Sequence, residues 1–305
     1  MAGTVFGKFE LLKRIGIGGM GEIFLARQQW MSGTEKLCVV KKILPSLYEQ
    51  EGFVPRFKDE GRVVVHLSHG NIAQVFEMGE IAGEYFMAME YVDGKTLEAV
   101  IRGLEKRSRL CPLEVALWIG IKVCEGLAYA HRKTDPVGNA LKIIHRDVSP
   151  ANVMVTYDGE VKIIDFGAAL SALKEVHTAP GVAIGNLDFM SPEQVLKIPI
   201  DTRTDIFSLG IVLWTLLGGV DYDRNAELAK RIQKVAYPTY VPLRSFRSDL
   251  PPEVDVLLSK ATQPKAADRF ADADTMRVEL QKLLFKVAPN TDQRTLAQLM
   301  NDLFA

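Results

Sequence analysis

The chain has 305 residues, a net charge of −1, and 48% hydrophobic and 25% charged residues, which excludes disordered and fibrous classes. The near-neutral charge provides no general basic field, so we predict no nucleic-acid partner. Three cysteines, Cys38, Cys111 and Cys124, are an odd number without metal-ligand spacing. A reducing, cytoplasmic location is therefore expected rather than a disulfide framework.

Neither a signal peptide nor a membrane segment is predicted for this chain. The first seven residues lack a charged region followed by an apolar stretch. The longest apolar run, 206–220, is too short to span a bilayer and contains Ser208 and Gly210, so it predicts a buried core helix. A regulatory domain beyond residue 305 of a longer parent protein is left open.

The first part of the chain predicts β-strands. Apolar and β-branched runs separated by glycine-rich or polar breaks place strands at 9–15, 22–26, 37–41, 72–78 and 85–90. The segment 55–67 predicts a helix, because proline is tolerated in a first helical turn.

After Gly94 the periodicity becomes helical and predicts long helices at 113–131, 205–217, 252–261 and 272–286. The basic stretch 102–109 is interpreted as a solvated loop. The fold class predicted is α+β, with a small β-rich lobe joined to a larger helical lobe.

The last segment, 291–304, predicts an amphipathic helix. Its apolar residues fall on one helical face and are Leu296, Leu299, Met300 and Leu303. We expect this face to pack against the helical lobe. A docking helix for a further region is the alternative.

Glycines at 16, 18 and 21 form the pattern G-x-G-x-x-G between two predicted strands. Glycine lets backbone N–H groups come close to phosphates, because no Cβ stands in the way. A plain glycine-rich hairpin turn is the alternative interpretation. A dinucleotide-binding fold is disfavoured, since a strand rather than a helix follows the glycines.

Lys41 lies at the end of a predicted strand, and Glu60 falls on the predicted helix that follows. A lysine that holds phosphates needs a carboxylate to fix its position, and this pair supplies both groups. The alternative is that these are an ordinary surface lysine and an ordinary helix glutamate, without a role in phosphate binding. Lys42 competes with Lys41, which we prefer because it shares a strand face with Val39.

The strongest signals are the run His145-Arg146-Asp147-Val148-Ser149-Pro150-Ala151-Asn152 and, further on, Asp165-Phe166-Gly167. Asp147 is a carboxylate suited to align an incoming hydroxyl and accept its proton. Asn152 and Asp165 offer the oxygen ligands that Mg²⁺ prefers. Together with the glycines and Lys41, these residues predict Mg²⁺-dependent phosphoryl transfer from ATP.

With these motifs the chain resembles eukaryotic-type protein kinases over about 9–284. Residues 18–26 are similar to bacterial serine/threonine kinases, and 145–150 resembles a subgroup common in myxobacteria and other large-genome bacteria. The resemblance implies a bilobal fold with an N-lobe at about 9–90, a hinge at about 90–94 and a C-lobe at about 95–286. Residues 287–305 would form the C-terminal helix.

The resemblance also implies a transferase that phosphorylates serine or threonine hydroxyls of protein substrates. The run Pro150-Ala151-Asn152 lacks the alanine-arginine signature of tyrosine kinases, which favours this specificity. A pseudokinase that binds nucleotide or acts as a scaffold is the alternative.

Further site residues follow from the resemblance. Met89 would be the gatekeeper, and the backbone of Glu90 and Val92 would bind adenine. The full set expected to bind ATP is Ile15, Gly16, Gly18, Gly19, Gly21, Ile23, Val39, Lys41, Met89, Glu90, Val92, Asn152 and Asp165. Structural roles are implied for Glu60 beside Lys41, for a Glu193–Arg269 ion pair and for Asp205, which would brace the loop 145–152, called the catalytic loop below. His145 is given no catalytic role.

Two positions depart from the family pattern. Ser149 stands where most members have lysine, and Asn186 stands where they have threonine. Loss of one cation at the transition state would cost about 3 kcal/mol, or about a hundredfold in rate. Slow catalysis is therefore expected, and the same departures are what the pseudokinase alternative rests on.

Two regulatory features are also expected. Arg146 before the catalytic aspartate often accompanies control by activation-loop phosphorylation, for which Thr178 is preferred over Ser171. Gly61 directly follows Glu60 and weakens the predicted helix, so Gly61→Ala is expected to raise basal activity.

Overall fold

In the computed structural model, the described residues are 3–18, 21–29, 35–135, 137–166, 187–218 and 227–304. Those up to Val92 form one compact unit, and those from Asp93 onward belong to a second. The first unit is rich in β-structure and the second is mainly helical, so the predicted α+β class is confirmed.

The first unit is built on an antiparallel sheet of six strands in the order β1-β2-β3-β4-β6-β5. The strands are β1 (Thr4–Phe6), β2 (Phe9–Gly18), β3 (Gly21–Gln29), β4 (Glu35–Ile43), β5 (Val75–Ile81) and β6 (Glu84–Glu90). Five of them match predicted strands, although β5 begins three residues later than expected. The short edge strand β1 was not predicted.

One face of this sheet carries an apolar core. Its buried side chains are Phe6, Phe9, Leu11, Ala26, Cys38, Val40, Phe86 and Ala88. Phe86 meets Phe6 and Phe9 edge-on, with ring centroids 5.5 and 5.6 Å apart. Because side chains alternate along a strand, the neighbours of these core residues on β4 point to the opposite face.

Two helices complete the first unit, α1 (Pro45–Tyr48) and α2 (Phe53–Val64). The predicted helix 55–67 corresponds to α2, which begins two residues earlier and ends three residues earlier. Pro55 lies in its first turn, as expected, because the N–H groups there have no helical partner.

The helices of the second unit are α3 (Leu97–Lys106), α4 (Leu113–His131), α5 (Pro192–Val195), α6 (Arg203–Gly218), α7 (Leu228–Ala236), α8 (Pro252–Ala261), α9 (Ala273–Val287) and α10 (Gln293–Phe304). The bounds predicted for α4 and α8 are confirmed, and those for α6, α9 and α10 differ by at most two residues. Residues 206–218 of the apolar run predicted as a core helix lie in α6, where nearly every described side chain is buried, and the last two residues of that run lie outside the described residues.

The predicted loop at 102–109 is wrong in its first half, because α3 continues to Lys106. This helix buries Leu97, Val100, Ile101 and Leu104, which recur at helical spacing. The Thr96 side chain caps it by accepting a hydrogen bond from the Ala99 N–H at 3.2 Å. The basic residues Arg102 and Lys106 are on the polar side of this amphipathic helix, and Arg107 and Arg109 follow its end.

A second, small antiparallel sheet has the order β7-β8-β9, with β7 at Gly94–Thr96, β8 at Val153–Thr156 and β9 at Val161–Ile163. A single 3-10 turn, Pro150–Asn152, leads directly into β8. Among the described helices, none has the length and apolar character needed to cross a bilayer.

Candidate active site

The predicted glycine loop begins on paired strands of the first unit. Gly18 in β2 lies opposite Gly21 in β3, and Gly16 lies opposite Ile23. A Cβ on Gly21 would overlap with the carbonyl oxygen of Lys42, so close packing of β3 on β4 requires glycine there.

Gly16 is different, because an added Cβ would meet only the Ile23 side chain, at an ordinary 3.7 Å. Packing within the protein therefore does not require glycine at this position, which is compatible with a ligand that approaches the backbone. The neighbouring Ile15 side chain is half-exposed. Gly19 lies outside the described residues.

Lys41 is buried on β4, with 5% of its surface exposed, and lies opposite Ile23 on β3 and Met87 on β6. Val39 lies opposite Met89 on the same face of the sheet. This face is the one opposite the aromatic core. The first unit thus brings together four residues predicted to bind ATP.

Lys42, the competing candidate, is on the other face of β4. Its ammonium group lies 2.8 Å from the Glu84 carboxylate and 4.9 Å from the centre of the Phe6 ring. Because Lys42 is held by these two groups, the geometry favours Lys41 for contact with phosphates. Glu60 lies on α2, and its pairing with Lys41 stays a prediction.

At the predicted hinge, the Glu90 N–H donates to the Gln74 carbonyl oxygen at 2.8 Å. The Glu90 carboxylate accepts from the Gln74 N–H at 3.2 Å. The Glu90 amide is therefore already bonded, so only its carbonyl group could serve adenine as expected. Met89 and Val92 are both buried.

In the second unit, the residues of the two strongest motifs lie together. The Asn152 side-chain amide donates to Asp147 twice, to the backbone oxygen at 2.8 Å and to Oδ2 at 2.9 Å. The Ile164 N–H donates to the Asn152 carbonyl oxygen at 2.9 Å, which places the start of the Asp165 motif beside Asn152. Asp147 is thereby oriented by a predicted metal ligand.

These side chains fit a magnesium ion. Both amide hydrogens of Asn152 are directed at Asp147, so its Oδ1 is the end that can bind a cation. Asp165 supplies a carboxylate and directly follows Ile164, whose N–H is bonded to the Asn152 carbonyl oxygen. Within the described ranges no three His, Cys, Asp or Glu side chains form a metal cluster. Two oxygen ligands completed by phosphates suit Mg²⁺, which rarely uses all-protein cages.

The catalytic loop is held by Asp205, which is fully buried at the start of α6. Its two carboxylate oxygens accept from the N–H groups of His145 and Arg146, each at 2.8 Å. His131 Nε2 lies 2.8 Å from the same carboxylate. Burial would raise the pKa of Asp205, but its hydrogen bonds and electrostatic interactions with His131 and His145 lower it below the ordinary value. The anion therefore persists and fixes the loop.

His145 packs within the protein. Its Nε2 lies 3.0 Å from the Ile164 carbonyl oxygen, and its ring meets the Phe166 ring edge-on at 4.6 Å. The backbone φ angles of Arg146 and Asp165 are 65° and 60°, in the left-handed region that non-glycine residues rarely adopt. Both motifs therefore carry strained backbone.

Glu193 and Arg269 form a buried ion pair, with bonds of 2.6 and 2.8 Å. The Thr204 hydroxyl donates to the same Glu193 carboxylate at 2.7 Å. One residue further, the Gln194 side-chain amide donates to the Arg146 carbonyl oxygen at 2.7 Å. The segment after residue 187 is therefore tied to Arg269, which lies between α8 and α9, and to the catalytic loop.

Of the two departures from the family pattern, Ser149 lies within the described residues and Asn186 lies outside them. The Ser149 hydroxyl and Arg146 Nε are buried without a hydrogen-bond partner inside the ranges that the structure covers. Asn186 and the expected phosphosites Thr178 and Ser171 lie outside the described residues. The roles assigned to individual site residues stay predictions.

Sequence reasoning missed His131, Gln194 and Thr204. Each acts through a partner that is distant in the chain, and none belongs to a recognisable local motif. The sequence pattern indicated that His131 is the last residue of α4, but it did not indicate the contact of His131 with Asp205.

A β-rich unit with a buried strand lysine, followed by a helical unit in which an asparagine predicted to bind metal orients a carboxylate, is typical of phosphotransferases that use Mg²⁺-bound ATP. The family model "Protein kinase domain" matches residues 9–281. The chain belongs to the protein kinase family.

Relatives in bacteria support the same conclusion. The chain is 36% identical over 280 residues to tyrosine-protein kinase MasK of Myxococcus xanthus, covering 92% of this chain and 43% of that protein. It is 32% identical over 292 residues to serine/threonine-protein kinase PksC of Streptomyces coelicolor, covering 93% and 50%. This chain thus spans about half or less of these relatives' length. The predicted likeness to myxobacterial kinases is confirmed.

Among solved structures, the PknI kinase domain of Mycobacterium tuberculosis is similar, with a TM-score of 0.69 and 26% sequence identity. The match covers 92% of this chain and 98% of that one. The predicted kinase fold is confirmed.

Proposed function

We propose that this domain transfers the γ-phosphoryl group of ATP to serine or threonine hydroxyls of proteins. The observation that carries the proposal is the orientation of Asp147 by Asn152, at 2.9 Å between Nδ2 and Oδ2. This bond fixes one carboxylate oxygen and leaves the amide oxygen as the end of Asn152 that could bind a cation. A base and a metal ligand are thus aligned by the same side chain.

Each of the four predicted site residues has a separate task in the proposed reaction. Lys41 binds the phosphates of ATP, and Asn152 and Asp165 hold Mg²⁺. Held by these two residues, Mg²⁺ would supply positive charge to offset the charge that develops on the transferring phosphoryl group. Asp147 aligns the acceptor hydroxyl and takes its proton.

The rate is expected to be low because Ser149 supplies no cation two residues after Asp147. The estimated cost is about 3 kcal/mol, or about a hundredfold. The relatives reported above are named as kinases and give the pseudokinase alternative no support.

Tyrosine is the second candidate acceptor, because the Myxococcus relative is named a tyrosine-protein kinase. The run Pro150-Ala151-Asn152 and the serine/threonine-protein kinase of Streptomyces coelicolor reported above favour serine and threonine. We also place the activity in the cytoplasm, since all three cysteines are free thiols.

The test is incubation of the chain with labelled ATP, Mg²⁺ and a generic protein substrate, followed by phosphoamino-acid analysis. We expect phosphoserine and phosphothreonine from the native chain and a loss of about a hundredfold or more for Asp147→Asn. Asp59→Asn changes a carboxylate that is 75% exposed on α2 and serves as the matched control.

Equal transfer by the native chain and Asp147→Asn would contradict the proposal and point to a contaminating kinase. Phosphotyrosine alone would transfer the assignment to the second candidate. Nucleotide binding without transfer would favour the pseudokinase.

A further inference from the structure

The C-terminal helix α10 lies outside the part of the chain that matches the protein kinase family model, which ends at residue 281. Its apolar face is nonetheless buried within the second unit. Leu296 and Met300 are fully buried, and Leu299 and Leu303 are 6% and 3% exposed. The apolar face that the sequence predicted for this helix therefore packs against the rest of the second unit.

The first turn of α10 rests on the turn between β8 and β9. The Gln293 side-chain amide donates to the Asp158 carbonyl oxygen at 2.9 Å. Gly159 follows with φ of 81°, and an added Cβ would overlap with the backbone oxygen of Gln293. Both its conformation and the close approach of α10 require glycine at this turn.

The last turn of α10 rests on α3 and the residues after it. Arg109 forms an ion pair of 2.8 Å with Asp302, and Arg107 donates to the Asp302 carbonyl oxygen at 3.4 Å. The Phe304 ring lies so close to α3 that a Cβ on Gly103 would be 3.4 Å from it. The basic stretch thus anchors α10.

The hairpin of β8 and β9 carries the proposed metal ligands at its open end. Asn152 directly precedes β8, and Asp165 follows β9 by two residues. The bond from the Ile164 N–H to the Asn152 carbonyl oxygen, 2.9 Å, joins the two strands there. Helix α3 packs against the turn Pro150–Asn152 from another side. Both elements held by α10 therefore adjoin Asn152.

We propose that α10 is a positioning element for the magnesium ligands Asn152 and Asp165, acting through the β8–β9 hairpin. The inference rests on the proposed function, since it assumes that these residues bind Mg²⁺ with nucleotide. The strands of the hairpin are only four and three residues long, so a tilt at the turn displaces the open end. Groups behind the ligands of a metal site typically affect metal affinity by about 10–100-fold.

The test compares two core variants in the full chain. Leu296→Ala weakens the docking of α10, and Leu257→Ala removes an equally large buried side chain from α8, away from the hairpin. ADP binding is titrated with Mg²⁺, and amide hydrogen exchange is followed in β8 and β9. We expect Leu296→Ala to raise the Mg²⁺ concentration at half-saturation about tenfold and to speed exchange in the hairpin. Leu257→Ala should change neither.

A second pair of milder variants tests the inference in case Leu296→Ala fails to fold. Gln293→Ala removes only the bond to Asp158, and Arg294→Ala changes an exposed neighbour as its control. Gln293→Ala should shift the Mg²⁺ dependence in the same direction by a smaller factor. Identical Mg²⁺ curves for the native chain, Leu296→Ala and Gln293→Ala would overturn the inference. Absence of Mg²⁺-dependent ADP binding in the native chain would overturn the proposed function as well.

Discussion

The three thiol groups are buried, with side chains at most 2% exposed. Burial raises the pKa of Cys111 to about 12, and it also raises the pKa of Cys38 and Cys124. Because the thiolate is the reactive form, we expect none of the three to react with a thiol reagent at pH 8 in the native protein. All three should react after denaturation, as counted by absorbance. Rapid labelling of a native thiol would show that its surroundings open readily.

The buried pair of Glu193 and Arg269 is a second prediction at single residues. Burial would raise the pKa of Glu193, but the hydrogen bonds and charge of Arg269 hold it below its ordinary 4.5. Arg269→Ala leaves that carboxylate buried without its cation, so we expect about 3–5 kcal/mol less free energy of unfolding. Urea denaturation at pH 7 measures it.

The sign of the pH effect follows from the lowered pKa. The pair contributes fully above pH 4.5, and its contribution is lost as the pH falls through the lower pKa of the folded state. Arg269→Ala should therefore lose less stability on acidification than the native chain does. Lys282→Ala, which removes an exposed pair with Glu279, is the control and should change stability little. A similar loss in both variants would contradict the prediction.

Among the elements, α2 owes its packing to a glycine. A Cβ on Gly61 would lie 3.0 Å from Met78 Sδ and 3.2 Å from its Cε, so the flexible methionine must move by a few tenths of an ångström. Alanine favours a helix by about 1 kcal/mol, a factor of about five in population. We expect Gly61→Ala to raise basal autophosphorylation by up to that factor.

Gly61→Ser is a useful comparison, because it adds a similar Cβ with less helical preference. Activity that rises with helical preference across Gly, Ser and Ala would support a shifting α2. Activity unchanged by Gly61→Ala in a radiolabel assay would rule the idea out. A fall in thermal stability without a change in activity would mean that the glycine serves packing only.

Elements with strong local signals were predicted well. Helix α4 has the bounds expected, because a long apolar run with polar ends leaves few alternatives. Helix α3 was not predicted, because its basic residues are typical of a solvated loop. Its buried residues Leu97, Val100, Ile101 and Leu104 nonetheless recur at helical spacing. Helix α7 buries only Val235 and Ala236, so its pattern gave little signal.

For the whole molecule, the motif residues could be found because short spacing fixes Asp147 and Asn152 on one loop. What the sequence could not provide is the set of distant partners that hold this loop, such as His131 and Gln194. Such contacts depend on how helices pack, and residue type alone does not encode them. The contact of α10 with the β8–β9 turn belongs to the same class.

The left-handed backbone at Arg146 and Asp165 has a consequence for engineering. Each non-glycine residue there costs about 1–2 kcal/mol of conformational energy, which glycine would avoid. A library screened for heat resistance alone would therefore enrich glycine at both positions and discard a proposed metal ligand. Thermostabilisation of this domain needs a turnover assay at every round.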